Sequence, residues 1–240
     1  MKIAICFYGV LYGDVGRTYD INHCWPNLSR MIVEPFKKKQ SRREGVGPLV
    51  NEHQVDILLS TYKVDDASIE QSIYQMVKPD HVKISDLKNS NSKTTKLATF
   101  ELLKDKDYDF VIMTRTDLHF SEMMIDTDIN YNKFNFLFHE KSQKSSNLTC
   151  DNFYAWPYRM TEQVKKSFET CPKLNSHDTH QLYNSLSKNI PVDEIHYISG
   201  EEEFLSDVNK YFTICKRGYG SEKFGQGLHE EVIERFGYKK

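Results

Sequence analysis

The chain has no surplus of positive charge. Its 240 residues carry 32 Lys and Arg against 34 Asp and Glu, a formal charge of −2. A protein that grips duplex nucleic acid neutralises phosphates with a basic excess, so nucleic acid is excluded as the principal partner. A small anionic ligand needs only a few well-placed cations and stays possible. Cysteine is sparse and odd in number. Cys6, Cys24, Cys150, Cys171 and Cys215 are widely spaced and form no CxxC, which argues against a disulfide framework or a structural zinc and for a reducing compartment. No apolar run approaches the roughly 20 residues that cross a bilayer. The apolar start, 3–12, has one preceding Lys, contains Tyr and Gly, and lacks a small-x-small cleavage site. The expectation is a soluble, cytoplasmic protein with no transmembrane segment. Without a secretion signal, the sequons Asn27-Leu28-Ser29 and Asn147-Leu148-Thr149 read as chance. Internal repeats, heptads and low-complexity tracts are absent too.

What is present is an ordinary globular mixture, 39% hydrophobic and 28% charged, long enough to bury a sizeable core. Aromatics reach 12%, with 14 Tyr and 14 Phe. Such rings stack on bases and sugars, but core packing uses the same residues and is the preferred reading. Four short apolar runs bounded by turn or polar residues predict buried strands at 2–8, 55–61, 81–84 and 108–114. Helical spacing predicts helices between them. The stretch 25–39 places Leu28, Met31, Ile32 and Phe36 on one face, with Pro26 suiting the first turn and Pro35 expected to kink or shorten it. Further helices are expected at 67–77, at 92–103 behind a capping Ser92, at 161–170 and at 178–188, with a strand at 194–198. Alternating strands and helices imply an α/β fold with a mostly parallel sheet and right-handed crossovers. The polar stretches 40–50 and 141–149 read as loops, and the chain from about 218 as a flap.

The segment richest in chemistry runs from Asp109 to Phe120, a hydrophobic strand that leads into Arg115, Asp117 and His119. If the extended backbone continues, these three alternate residues project from one face. They would then stand beyond the carboxyl end of a central strand, where open α/β sheets bind ligands. Asp117 offers oxygen to Mg²⁺ or Mn²⁺, His119 offers nitrogen to Mn²⁺, and Arg115 can neutralise a phosphate oxygen or orient the carboxylate. The alternative is a solvated strand end with an Arg–Asp ion pair.

The arrangement YDFVIMTRTDLHF resembles the strand and motif of GT-A glycosyltransferases, in which Asp-x-Asp or a reduced equivalent binds metal and sugar nucleotide. KIAICFYGV, followed after a helix by VDILLSTYK, is similar to the opening of small bacterial and viral transferases of that kind. The resemblance covers roughly residues 1–185, and Asp-Leu-His stands where the common pattern has Asp-x-Asp. It implies one glycosyltransferase-like domain over 1–240, with 1–120 as the nucleotide-binding half and 121–240 as an acceptor half ending in the flap. It further implies a UDP- or GDP-linked sugar donor, a glycan or other hydroxyl acceptor, and a divalent metal at Asp117.

Other residues take expected roles, some from the same resemblance and some from their own position and spacing. The first strand end, Phe7-Tyr8-Gly9, would hold base and ribose, with Tyr8 stacking and Gly9 letting the backbone come close. Arg17 is a phosphate candidate, although GVLYGDVGR is neither a Walker loop nor GxGxxG. Tyr62 is a base neighbour or a packing residue. Lys93 and Lys96 open a helix whose N-terminus favours anions, so either is a diphosphate contact or a solvated lysine. Asp151 is a candidate for a sugar hydroxyl or the acceptor proton, and Trp156 for a sugar platform; a turn Asp and a core Trp are the alternatives. Asp178 is a helix cap or a general base. His177 and His180 lie three apart but outside any HExxH pattern. His229, or else His196, would complete a metal shell. Two competing functions remain: a sugar-nucleotide nucleotidyltransferase, whose GxGTRxxP-like signature is missing, and a non-catalytic sugar or nucleotide binding module.

Overall fold

The computed structural model describes residues 1–14, 18–38, 53–85, 92–140, 149–171, 182–200, 202–203 and 210–214. Its centre is a seven-stranded sheet made of β1 (Lys2–Gly9), β2 (Gln54–Tyr62), β3 (His81–Ser85), β4 (Phe110–Arg115), β5 (Phe134–Phe136), β6 (Phe153–Pro157) and β7 (Ile195–Tyr197). The spatial order is β7-β5-β6-β4-β1-β2-β3. β1 lies parallel to β2 and β4, and β2 to β3. β6 runs antiparallel to both β4 and β5, while β7 is parallel to β5. Six strands thus share one direction and β6 opposes them, so the sheet is mixed but mostly parallel.

The central strands are mostly apolar along their middles because helices cover both faces. Along β1, Ile3, Ile5 and Phe7 enter one core while Ala4, Cys6 and Tyr8 enter the other. β4 repeats this alternation, with Phe110 and Ile112 on the first side and Val111 and Met113 on the second. The first core is closed by Leu28, Ile32 and Phe36 and by Ile73 and Val77 of α3 (Ala67–Val77). The second is closed by Phe100 and Leu103 of α4 (Ser92–Leu103), Val164 and Phe168 of α5 (Thr161–Thr170), and Leu182 and Leu186 of α6 (Leu182–Leu186).

The helical run 25–38 shows how a proline is absorbed. It comprises α1 (Trp25–Leu28), a π-helical turn (Ser29–Val33) and α2 (Glu34–Lys38). The Glu34 N–H donates to the Ser29 carbonyl, five residues back. Pro35 brings no N–H for the next helical bond and its ring crowds the preceding turn; the widened turn takes up that conflict without ending the helix. Asn27, the first sequon residue, is buried and donates to the Phe120 carbonyl at 2.9 Å while accepting from the Phe120 N–H at 2.6 Å. Its amide is a structural staple and has no room for a glycan.

The predicted strands and the helices at 67–77, 92–103 and 161–170 are present. β5 and β6 were not legible as strands. The expected loop at 40–50, the start of the helix predicted at 178–188 and the flap from 218 lie outside the described residues. Among the described residues, no helix is long and apolar enough to cross a membrane.

β1 ends on Gly9, whose φ of 126° lies in the left-handed half of backbone space. A Cβ there would come within 3.1 Å of Thr116 Oγ1. Thr116 cannot easily yield, since its hydroxyl donates to the Val10 carbonyl at 2.8 Å and its N–H to the Tyr8 carbonyl at 3.2 Å. Gly9→Ala is therefore expected to cost about 1–3 kcal/mol of stability. Urea unfolding measures it, and an unshifted midpoint would show that the end of β1 is not held this tightly.

Candidate functional site

Chain order and spatial order part company between β1 and β4. From β1 the sheet grows outward through β2 to β3, then returns to add β4 on the opposite side of β1. In open α/β sheets such a reversal leaves a crevice outside the carboxyl ends of the two diverging strands. Here those ends are Tyr8-Gly9 and Arg115. Because β6 runs the other way, its entry, Asp151-Asn152, comes down at the same edge: Phe153 pairs with Thr114.

A compact polar cluster fills this corner. Arg115 grips Asp117 in a two-pronged ion pair, with Nε donating to Oδ1 at 2.7 Å and Nη2 to Oδ2 at 2.6 Å. The guanidinium's third side reaches Asn152, Nη1 donating to Oδ1 at 2.9 Å. Asp117 is 2% exposed, whereas the Arg115 side chain keeps 22%. Burial opposes charge on Arg115, but the attraction of Asp117 and its hydrogen bonds outweigh it and hold the guanidinium protonated. The carboxylate is therefore buried but not in an apolar setting.

Behind the fork lies Lys96, 1% exposed. Its ammonium sits 3.4 Å from both the Asp151 carbonyl and the Tyr154 hydroxyl, and 3.8 Å from Asp151 Oδ2. The rings of Tyr8 and Tyr154 flank it at 5.2 and 5.5 Å, a geometry for cation–π attraction of about 0.5–2 kcal/mol. Burial pulls the Lys96 pKa below its ordinary value and nearby Arg115 adds to this, while Asp151 opposes it. Tyr8 donates its hydroxyl to the Asp151 carbonyl at 3.0 Å; burial, reinforced by Asp151, raises its pKa so that it stays a neutral donor. Lys96 and Tyr8 together pin the Asp151 backbone, leaving the Asp151 carboxylate 14% exposed at the rim.

Asn152 carries no signal in the sequence beyond an ordinary turn residue, yet it is fully buried here. Its backbone carbonyl accepts from Thr114 Oγ1 at 2.9 Å. With Oδ1 fixed by Arg115, the amide orientation is set, and among the described residues Nδ2 has no hydrogen-bond partner. A buried donor left unsatisfied costs about 1–3 kcal/mol.

Other expected site residues are placed differently. The shared projection of Arg115, Asp117 and His119 does not occur, because the backbone turns at Thr116-Asp117 before a new strand, Leu118–Phe120, pairs with Phe212–Ile214. His119 is 3% exposed, and Arg30 from the helical run is the charge that joins burial in disfavouring its protonated form. Trp156 is no sugar platform: it is fully buried, stacked between Phe100 and Phe134, with its indole N–H donated to Thr161. Phe7 faces the opposite core, edge-on to Trp25 at 5.4 Å, and Tyr62 packs into that same core. Neither offers an open face for a base, and Tyr8 is closed in by the cluster. Lys93 donates to the Glu169 carbonyl at 3.1 Å, tying α4 to α5. His196 bonds the Asp128 carbonyl at 2.7 Å on β7, three strands from β4. Arg17, His177, Asp178, His180 and His229 lie outside the described residues.

The divalent ion expected at Asp117 does not fit this arrangement. A guanidinium already bonds both carboxylate oxygens and would repel the ion. Among the described residues, no three His, Cys, Asp or Glu side chains form a metal-binding group. Comparison of the chain with protein-family models and with curated proteins gives no match.

Two stability tests follow. Arg115→Gln leaves the Asp117 charge buried and uncompensated, an expected loss of about 3–5 kcal/mol, and adding Asp117→Asn recovers part of it. Denaturant unfolding of the two singles and the double reads this coupling, and additive losses would contradict the fork. Burial lowers the His119 pKa from 6.5 to about 4. The unfolded chain then binds a proton that the folded chain refuses, so stability falls as pH drops through that window, by about 2 kcal/mol between pH 7 and 5. His119→Gln is expected to remove that loss and so flatten the acid limb of melting temperature against pH.

Proposed function

We propose that the chain is a glycosyltransferase that moves a sugar from a nucleotide diphosphate to an acceptor hydroxyl. The observation that carries this reading is the meeting of Arg115, Asp117, Asp151 and Asn152 at the carboxyl ends of β1 and β4, where chain order reverses. In this reading Arg115, the partly exposed cation of the cluster, meets the negative charge that builds on the departing diphosphate. Asp117 holds the guanidinium charged and in one orientation, with two N–H groups left for a ligand. Asp151 presents a rim carboxylate that accepts the proton of the attacking hydroxyl in an inverting transfer. Lys96 and Tyr8 act through Asp151 by anchoring its backbone.

The test is a panel of UDP- and GDP-sugars incubated with the protein under Mn²⁺, Mg²⁺ and EDTA, with released nucleotide measured. One donor is expected to be turned over, slowly by water and faster with a hydroxyl acceptor, and Asp151→Asn is expected to slow transfer at least tenfold without loss of donor binding. Binding without turnover of any donor would identify the non-catalytic module. No binding of any member would sink both readings.

A further inference from the structure

We infer that Arg115 and Asn152 together form a receptor for an oxygen of the nucleotide's diphosphate, and that this receptor works without a metal ion at Asp117. The inference rests on the transferase reading but concerns a separate matter, namely which groups hold the phosphates.

Three observations carry it. Asp117 is committed as a ligand of the guanidinium: Nε and Nη2 take its two oxygens at 2.7 and 2.6 Å. Its role is to orient Arg115, and a cation entering beside it would face the fixed positive charge of that fork. Asn152 is held as a donor. Its Oδ1 accepts from Arg115 Nη1 at 2.9 Å, which rules out the flipped amide, and its fully buried Nδ2 finds no acceptor among the described residues. Finally, the guanidinium uses three of its five N–H groups on Asp117 and Asn152, and its side chain remains 22% exposed. Two sources of N–H therefore sit at the strand reversal, one charged and one neutral, and both oxygens of Asp117 are engaged by the guanidinium. An oxygen that accepts from both satisfies the buried amide and the open edge of the guanidinium at once. Phosphate oxygens have the charge and the lone pairs for this.

The experiment is calorimetric titration of the intact protein with UDP and GDP, each in EDTA and in Mn²⁺, with uridine and guanosine as controls. One diphosphate is expected to bind in EDTA with an affinity within threefold of that in Mn²⁺. Asn152→Leu, which keeps the branched outline and removes the amide, is expected to weaken the diphosphate at least tenfold while leaving the nucleoside unchanged. Binding that requires Mn²⁺ overturns the inference and leaves the transferase reading standing. Unchanged diphosphate affinity in Asn152→Leu also overturns it, since the oxygen is then held elsewhere. Should that variant not fold, the EDTA arm on the unaltered protein decides alone. Absence of UDP and GDP binding under both conditions removes the receptor and the transferase reading together.

Discussion

The corner of the sheet is organised by one ion pair, the fork of Arg115 on Asp117. An isolated carboxylate at 2% exposure is not tolerated in a protein interior. Here it is tolerated because two short, charge-assisted hydrogen bonds replace its water. The pair also has a directional consequence. A guanidinium clamped along one edge is a planar object with a fixed orientation, so whatever its other edges touch is fixed as well. Asn152 is the first such neighbour, and through it the entry of β6 is tied to the end of β4.

Around the fork the cluster is built in shells of decreasing access. Arg115 and Asp151 reach the rim; Asp117, Asn152 and Tyr8 stand behind them; Lys96 lies innermost between two tyrosine rings. Charges alternate through these layers, so each cation has a carboxylate within reach and the corner holds no net excess. Such a group is cross-linked by hydrogen bonds and keeps a partly exposed cation at its outer edge. These are the properties wanted where negative charge appears on a bound group during reaction: donors already aimed, with little to reorganise.

The fold was largely legible because its central strands are buried on both faces. That condition produces short, unbroken apolar runs such as those in β1 and β4, which stand out from their polar borders. The helices at 67–77 and 161–170 were legible for the complementary reason, a single apolar stripe at helical spacing. β6 escaped because Asp151 and Trp156 read singly, as a turn Asp and a core Trp against ligand roles, and its opposed direction is set by pairing with β4, which no local pattern encodes. At the site, Arg115 and Asp117 were found, but their relation was not. The alternation rule assumes an extended backbone, and the chain turns at Thr116 to bond the end of β1, without a Gly or Pro to announce it. Asn152 could not be found at all, since its partner is 37 residues away. Trp156 and Phe7 illustrate the reverse error: aromatic residues near a strand end suit a ligand in principle, yet the core claimed both.

In the proposed function, a fixed Arg115 fork faces the bound nucleotide. A guanidinium Nε–H locked onto a buried carboxylate exchanges slowly with water, so ¹⁵N-resolved proton spectra can observe it directly. The account predicts one protected arginine Nε–H signal that disappears in Arg115→Lys and moves when UDP or GDP is added in EDTA. A protected Arg115 signal that stays still while nucleotide saturates the protein would contradict it.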